Sequence, residues 1–596
     1  MTTLDYTMVL LYFAGLIAVS LVLSRRIRSS EDMFIAGRNS SWWLSGVSSY
    51  MTIFSASTFV VWGGVAYKSG LVAVTVGMSL GIASLIAGRF FSGRWRALRI
   101  KSPGEFLTVR FGRSTVRFYT IAGIIGRAVH TGVALYAVAV VACALIQVPE
   151  GSVFASTGLP GDSPAGHLCI WWALEILGAV TLLYTIAGGF PAVLMTDVIQ
   201  FGVLFAVVVF MIPLSLHAVG GAGNFIASAK EFPGFFSGTS GTYTWFWLVL
   251  WMLLHASMIG GDWPFVQRYI SVPTVKDARR STYLIGALYL ATPLIWYLPT
   301  MVYRVLVPGP GMEVDPVAMT RLGEGAYVNM SQLVLMEGML GMMLAAMLSA
   351  TMSNVSGTLN VYANVFTYEI WEPLRRGLPV DEKARIRAGR LFTLVFGLAI
   401  VAVSMLVPFA GGAEKVVVTF LTMVLCPLYI PSIWGLFSKR LTGGRLMWAM
   451  LVSWAVAFTA KFALPAEVLS PTLIETIGGC IVPLAILAVM EVYAAARGES
   501  TPGYDAMLAH TDPDADREPG PENRKAVRAY SRMAVSCFCI TLCVIAALLV
   551  SLLIAGDPET LAVKGIVIWF VACIAVMVLA YVVYRIIENN KHYEHL

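Results

Sequence analysis

The sequence predicts an all-α polytopic membrane protein, a bundle of apolar helices that crosses a bilayer many times. Three observations carry that prediction. Of 596 residues, 58% are hydrophobic and only 13% charged, with a mean hydropathy of +0.76. The apolar residues fall in blocks of about 20, the length a helix needs to cross hydrocarbon. Polar residues gather in the short stretches between the blocks. Backbone N–H and C=O groups cannot be left unpaired in lipid, so each block is expected to be a helix. The net charge of +7 is not read as a nucleic-acid surface, because the basic residues sit in short loops beside the helix ends.

About fifteen spans are expected, near residues 5–24, 43–67, 72–93, 117–147, 168–187, 190–216, 244–265, 281–305, 330–369, 390–409, 414–438, 445–463, 470–496, 532–554 and 563–585. The first lacks a basic leader, carries Asp5 before it and is followed by Arg25 and Arg26. It therefore reads as a retained helix running from outside to inside, not as a cleaved signal peptide. Most of the 41 Lys and Arg fall in alternate loops, those holding Arg96, Lys101, Arg279, Arg280, Arg375, Arg385, Lys439 and Arg524 among them. That bias places the N-terminus outside and the C-terminus in the cytoplasm of a multi-pass protein of the plasma or inner membrane. The eight cysteines lie in or beside apolar spans without a metal-ligand pattern, and are read as small buried residues.

Between residues 498 and 531 the chain is rich in Pro, Gly and charge, which predicts a cytoplasmic linker before two appended helices. Its Asp512, Asp514, Asp516 and Glu518 alternate as calcium-loop ligands do, yet the required glycine and distal glutamate are missing, so a solvated acidic run is expected. The second span, SSYMTIFSASTFVVWGGVAY, and the seventh, WLVLWMLLHASMIGGDWPF, are poor helices at their centres. In the seventh, Gly260, Gly261 and Pro264 should break the helix beside His255 and Asp262. Broken helices mark the binding sites of transporters, and two breaks five spans apart suit a pair of inverted five-helix repeats.

Asp197 stands at the head of an apolar span, where a carboxylate is costly by about 2.5–3.5 kcal/mol and needs a partner. The ninth span offers one: Ser349, Ser353, Ser356, Asn360 and Thr367 share a helical face. Hydroxyl and amide oxygens, with carbonyls freed where the second span unwinds, are ligands for a hard monovalent cation such as sodium. Hydrogen bonding between helices is the plainer use of the same residues.

The stretch GGFPAVLMTDVIQF, residues 188–201, resembles a signature of the sodium/solute symporter family. FIAGRNSSWWLSG, DWPFVQRYISVPTVKDARRS and MSNVSGTLNVYANVFTYEIW fit it as well, and the resemblance runs over roughly residues 1–495. It implies a LeuT-like 5+5 inverted-repeat bundle with additional flanking helices, alternating access, and coupling to Na+. The expected organisation is an N-terminal helix and loop over 1–42, a transport core over 43–438, two further helices over 439–497, the linker over 498–531, and two helices with a tail over 532–596. By position, the resemblance implies a sodium site of the Met51 and Phe54 carbonyls with the Ala350 carbonyl, the Ser353 hydroxyl and Asn354, where the family usually has Ser or Thr. A second sodium site found in some members would join Asp197 to Ser353, Ser356 and Gly357, the last lacking the hydroxyl expected there.

The candidate solute-binding residues are Ser57, Thr58 and Trp62 on the second span, Arg127 and His130 on the fourth, and Trp251, His255, Asp262 and Trp263 on the seventh. Arg127 either holds a carboxylate bidentately or snorkels to the headgroups. The expected activity is sodium-coupled symport of a small polar solute, a sugar or polyol or else a carboxylate, in the lipid bilayer. A proton-coupled permease of the same fold and a non-transporting solute sensor remain as alternatives. An enzyme is not expected: GMSLG at Gly77–Gly81 has a nucleophile-elbow pattern but lies within a span, where its glycines suit helix packing. The sequence gives no reading of the oligomeric state.

Overall fold

The computed structural model describes residues 1–581 apart from 26, 150, 157–161, 164–165, 242, 310–314, 376–379, 411–419, 464–470, 518, 556–564, 566, 569 and 580. Parts of the expected eleventh, thirteenth and fifteenth spans lie outside these residues, as do Arg26 and Glu518.

The described chain is almost wholly helical. The principal helices are α1 (Thr3–Ser24), α2 (Trp42–Ile53), α3 (Thr58–Ser69), α4 (Leu71–Ala97), α5 (Arg113–Leu145), α6 (Ile170–Ala218), α7 (Trp245–Gly261) and α8 (Trp263–Ile270). They continue with α9 (Val275–Leu306), α10 (Met339–Leu374), α11 (Glu382–Phe409), α12 (Leu421–Gly435), α13 (Gly443–Ala463), α14 (Leu473–Ala496), α15 (Pro502–His510), α16 (Pro521–Ala555) and α17 (Phe570–Leu579). Ten are long and apolar enough to cross a membrane, and the bent pair α2–α3 makes eleven. The count of fifteen is not confirmed by that measure, because two expected spans share α6 and because α7, α12 and α17 are short.

Helix α6 holds both spans across a kink at Gly189, whose φ of 54° is open to glycine and costly for other residues. A Cβ there would lie 2.8 Å from the Met33 carbonyl oxygen, so the kink also needs the missing side chain. Gly77 and Gly81 press α4 onto α9, at Pro293 and Leu290, as a packing contact.

The two expected breaks are present. Helices α2 and α3 are bent by 65° across residues 54–57. The Gly63–Gly64 pair does not make this bend; it lies inside α3, where Gly64 packs on Gly323. In the seventh span the break is at Asp262, extended at φ −73° and ψ 131°, with Pro264 in the first turn of α8. Gly260 and Gly261 serve close packing instead, against Phe91 and Ile433. Backbone groups freed by a break must find other partners. Trp95 Nε1 donates to the Gly260 carbonyl at 2.7 Å, and Tyr269 Oη to that of Ile259 at 2.7 Å.

Helix α10 lies at the centre, with 94% of its most apolar window buried against 28% for α11. It packs on α6 and on α1. Asp5 fastens α1 to it: the carboxylate accepts the Thr2 amide at 2.8 Å, capping α1, and the Gly341 amide at 2.8 Å.

Residues 498–531 are more ordered than a solvated linker. Proline suits the first turn of a helix, and Pro502 and Pro521 open α15 and α16, the latter well before the expected start near 532. The acidic run is docked, not free: the Asp512 amide donates to the Ala97 carbonyl at 2.9 Å, and the Asp512 carboxylate pairs with Arg99 at 3.3 Å. The Val275 amide donates to the Ala515 carbonyl at 3.1 Å, and Arg110 Nη1 to Thr501 Oγ1 at 3.0 Å. This strap thus ties the end of α4 to the start of α9.

Gly189→Ala should destabilise the protein by about 1–3 kcal/mol through backbone strain. Thermal melting of the purified protein should show a clear drop in Tm, whereas Gly223→Ala, in an open helical position, should not lower it.

Candidate functional site

The first break, in the second span, leaves carbonyls without their usual donors. In an unbroken helix the Met51 carbonyl would accept from the Ser55 amide and the Phe54 carbonyl from that of Thr58. Instead Ser55 N donates to Thr58 Oγ1 at 3.5 Å, and Thr58 N to the Ser55 carbonyl at 2.9 Å. Helix α10 approaches this gap closely. Asn354 Nδ2 donates to the Thr52 carbonyl at 3.1 Å, and Thr351 Oγ1 accepts the Ala56 amide at 3.0 Å. Asn354 is buried, yet its Oδ1 has no hydrogen-bond partner among the described residues. A buried amide oxygen without a donor is costly in protein and well suited to a sodium ion. Met51, Phe54, Ala350, Ser353 and Asn354 are all buried on the two elements that meet here.

Asp197 is fully buried and carries three contacts. Its Oδ1 accepts from Ser353 Oγ at 2.6 Å, and its Oδ2 accepts from Ser48 Oγ and from Arg268 Nη2 at 3.3 Å. The guanidinium, also fully buried, donates through Nε to Ser48 Oγ at 2.8 Å and through Nη1 to the Pro264 carbonyl at 2.9 Å. The cationic group beside Asp197 in this structure is thus the Arg268 guanidinium. Gly357 makes room for it, since a Cβ would lie 3.2 Å from Arg268 Nη2. Ser356 bonds back to the Ser353 carbonyl at 3.1 Å. The rest of the polar stripe is dispersed: Ser349 donates to Tyr12, Asn360 accepts from Gln267, and Thr367 bonds its own helix.

A cavity of about 120 Å³ lies between the broken helices, α5 and α10. Ser57, Thr58, Trp62, Arg127, His130, Trp251 and His255 line it, and so does Asn354. Trp62 and Trp251 lie with ring centres 5.6 Å apart and planes tilted by 60°. Asp262 and Trp263 are not on the wall. Trp263 is stacked on Tyr119 at 5.1 Å, on the far side of the break. Arg127 does not snorkel: it is buried, forms an ion pair with Asp262, and approaches His130 Nδ1 at 3.2 Å through Nη1. Sequence reading missed Tyr289 and Tyr297 on α9, Thr52 and Ser55. The tyrosines lie in an expected span with no polar periodicity to single them out. It also missed Arg268, because no spacing rule joins it to Asp197.

Two broken apolar helices that meet a polar central helix around a cavity are the arrangement of a secondary transporter of the alternating-access class. The family model described as the sodium:solute symporter family matches residues 33–453, and the chain belongs to that family, a family of sodium-coupled transporters. Among curated proteins it is 23% identical to a mouse (Mus musculus) sodium/glucose cotransporter 1 over 494 residues, covering 76% of this chain and 71% of that one. It is 25% identical to a pig (Sus scrofa) sodium/myo-inositol cotransporter 2, covering 73% and 66%. It is also 25% identical to a sodium/sialic acid symporter of Aliivibrio fischeri, covering 66% and 75%. A Na+-coupled sialic acid symporter solved in a substrate-bound outward-open state superposes with a TM-score of 0.64 at 20% identity, over 81% of this chain and 98% of that one. The fold is the LeuT-like one.

Removing one partner of a buried pair strands the other charge, at a cost of about 3–5 kcal/mol. Arg268→Met should therefore lower thermal stability strongly, and Arg268→Met with Asp197→Asn should recover part of the loss. A double-mutant cycle of melting temperatures measures that coupling.

Proposed function

We propose that this protein accumulates a neutral, hydroxyl-bearing solute, a sugar or polyol, by symport with one sodium ion per cycle. The observation that supports the solute class is the Arg127–Asp262 pair. It neutralises the one arginine among the described residues of the cavity wall, leaving hydroxyls, two imidazoles and two adjacent indole rings to meet the solute. Aromatic faces and hydroxyl donors suit a polyhydroxylated ring. The glucose and myo-inositol cotransporters among the relatives accord with that reading.

Sodium, as the co-transported ion, is assigned to the Met51, Phe54 and Ala350 carbonyls, Ser353 Oγ and Asn354 Oδ1. The unpartnered amide oxygen of Asn354 is the reason for choosing this place. Asp197 is assigned to Arg268, not to a second sodium, because the guanidinium already lies against Asp197 and over Gly357. An ion bound between α2 and α10 would hold the broken helix against the central one, favouring the form open to the outside until solute joins it. One sodium crossing about 100 mV gains roughly 2.3 kcal/mol. A tenfold gradient adds about 1.4 kcal/mol, and together these sustain roughly 500-fold accumulation of a neutral solute. The N-terminus is assigned to the outside and the strap to the cytoplasm of the cell membrane.

A second reading, carboxylate transport, is favoured by one observation: Arg127 Nε and Asp262 Oδ1 have no hydrogen-bond partner among the described residues. An incoming carboxylate would then displace Asp262 from Arg127.

The test is uptake of labelled sugars, polyols and carboxylates into proteoliposomes with an imposed sodium gradient. Sugar or polyol uptake should rise with a Hill coefficient for sodium near one, and Asn354→Ala should weaken sodium activation at least tenfold. Uptake confined to carboxylates, and abolished in Arg127→Gln, would replace the neutral-solute reading. Uptake driven by a pH gradient without sodium would overturn the sodium assignment.

A further inference from the structure

A second cavity, of about 700 Å³, lies away from the transport site, where the strap meets the turn before α2 and the end of α4. Among the described residues its wall carries five cations and three carboxylates. Two of the cations are matched: Arg99 pairs with Asp512 at 3.3 Å, and Lys101 with Glu31 at 3.5 Å. Arg38, Arg96 and Arg517 remain without an ion pair among the described residues, although Glu31, Glu105 and Asp512 act on Arg38, and Asp512 and Asp277 on Arg96, from longer range.

Two of these three guanidinium groups are fixed in place with a donor to spare. Arg96 is 6% exposed, and its Nε and Nη2 donate to the Val272 and Pro273 carbonyls, each at 2.5 Å. Its Nη1 has no hydrogen-bond partner among the described residues. Arg38 Nη2 donates to the Arg99 and Ile100 carbonyls at 2.8 and 3.2 Å, while Nε is buried without a partner among the described residues. Burial lowers the Arg38 guanidinium from its usual range, Glu31 works against this, and Arg99 adds to it.

Carbonyls, which carry no net charge, orient these two side chains, and no carboxylate bonds to either of them directly among the described residues. The backbone agrees: among the described residues only Ala36, Arg38 and Arg99 combine a side chain with positive φ, at 51°, 60° and 54°. Strained residues persist where the surroundings over-determine them, and they gather at ligand clamps. Here two of the three lie on one cavity wall.

We infer that this cavity binds a phosphate-bearing anion through Arg38, Arg96 and Arg517. Planar guanidinium forks match the oxygens of phosphate, and forks held in advance lose little freedom on binding. Arg517 comes from the strap, whereas Arg38 and Arg96 come from the membrane domain, so a bound anion would fasten one to the other. The shared chemistry is a phosphoryl group; it is carried either by a soluble anion or by a lipid headgroup. The inference does not depend on the solute or the sodium stoichiometry proposed above.

The experiment has two arms, both on the full-length protein. In detergent, inorganic pyrophosphate is titrated calorimetrically in a buffer of low ionic strength. In nanodiscs of phosphatidylcholine, with and without phosphatidic acid, retained lipid is measured by native mass spectrometry. Saturable binding of pyrophosphate, weakened at least tenfold in Arg96→Gln and in Arg517→Gln, is the expected result and assigns a soluble anion. Retention of phosphatidic acid that is lost in Arg517→Gln, without pyrophosphate binding, assigns the headgroup. Arg517 is exposed on the strap, so its replacement tests the site without disturbing a buried bond. Binding in neither arm, or binding that both variants leave unchanged, overturns the inference.

Discussion

The fold depends on a carboxylate and a guanidinium sealed together where no water reaches them. Asp197 on α6 and Arg268 on α8 are each fully buried, and each would be costly alone in the bilayer. Their partners come from two further elements, Ser48 on α2 and Ser353 on α10. Four elements are thus held by one charge pair. Two of them, α2 and α8, are halves of the broken helices, so the arrangement locates both breaks relative to the central helix. Thr52, one turn after Ser48, donates to its carbonyl at 2.9 Å and accepts Asn354 through its own carbonyl. The pair and the place assigned to sodium therefore share Ser353 and are joined again through one turn of α2.

Much of this was legible in the sequence. Block length and charge spacing are local properties, and they revealed the membrane class. Asp197 was conspicuous because a carboxylate in an apolar span demands compensation, and Ser353 because a polar face on a buried helix is periodic. The break at Asp262 was announced by Pro264. What escaped were relations across space. The identity of the cation beside Asp197 required knowing that residue 268 returns to residue 197. Only then is Gly357 intelligible as space for a guanidinium, where the sequence showed merely a missing hydroxyl. The Gly63–Gly64 pair shows the same limit, since a glycine pair marks close packing, here on Gly323, as readily as a kink.

The strap shows a different limit of composition. Its Pro, Gly and acidic content is what a solvated linker has, yet prolines open two helices in this region and Asp512 meets both a backbone carbonyl and an arginine. Polar segments become ordered when neighbouring loops offer fixed donors and acceptors, and those loops are far away in sequence. The last helices are appended to the core by a piece of chain that is itself attached to that core.

The charges of the central bundle also bear on how the membrane potential acts. Asp197 with Arg268, and Asp262 with Arg127, each sum to zero within one contact. A neutral pair displaced through an electric field exchanges almost no work with it, because the field pulls its two halves in opposite directions. On the proposed scheme sodium is then the element on which voltage acts, and the central machinery can return without it at little electrical expense.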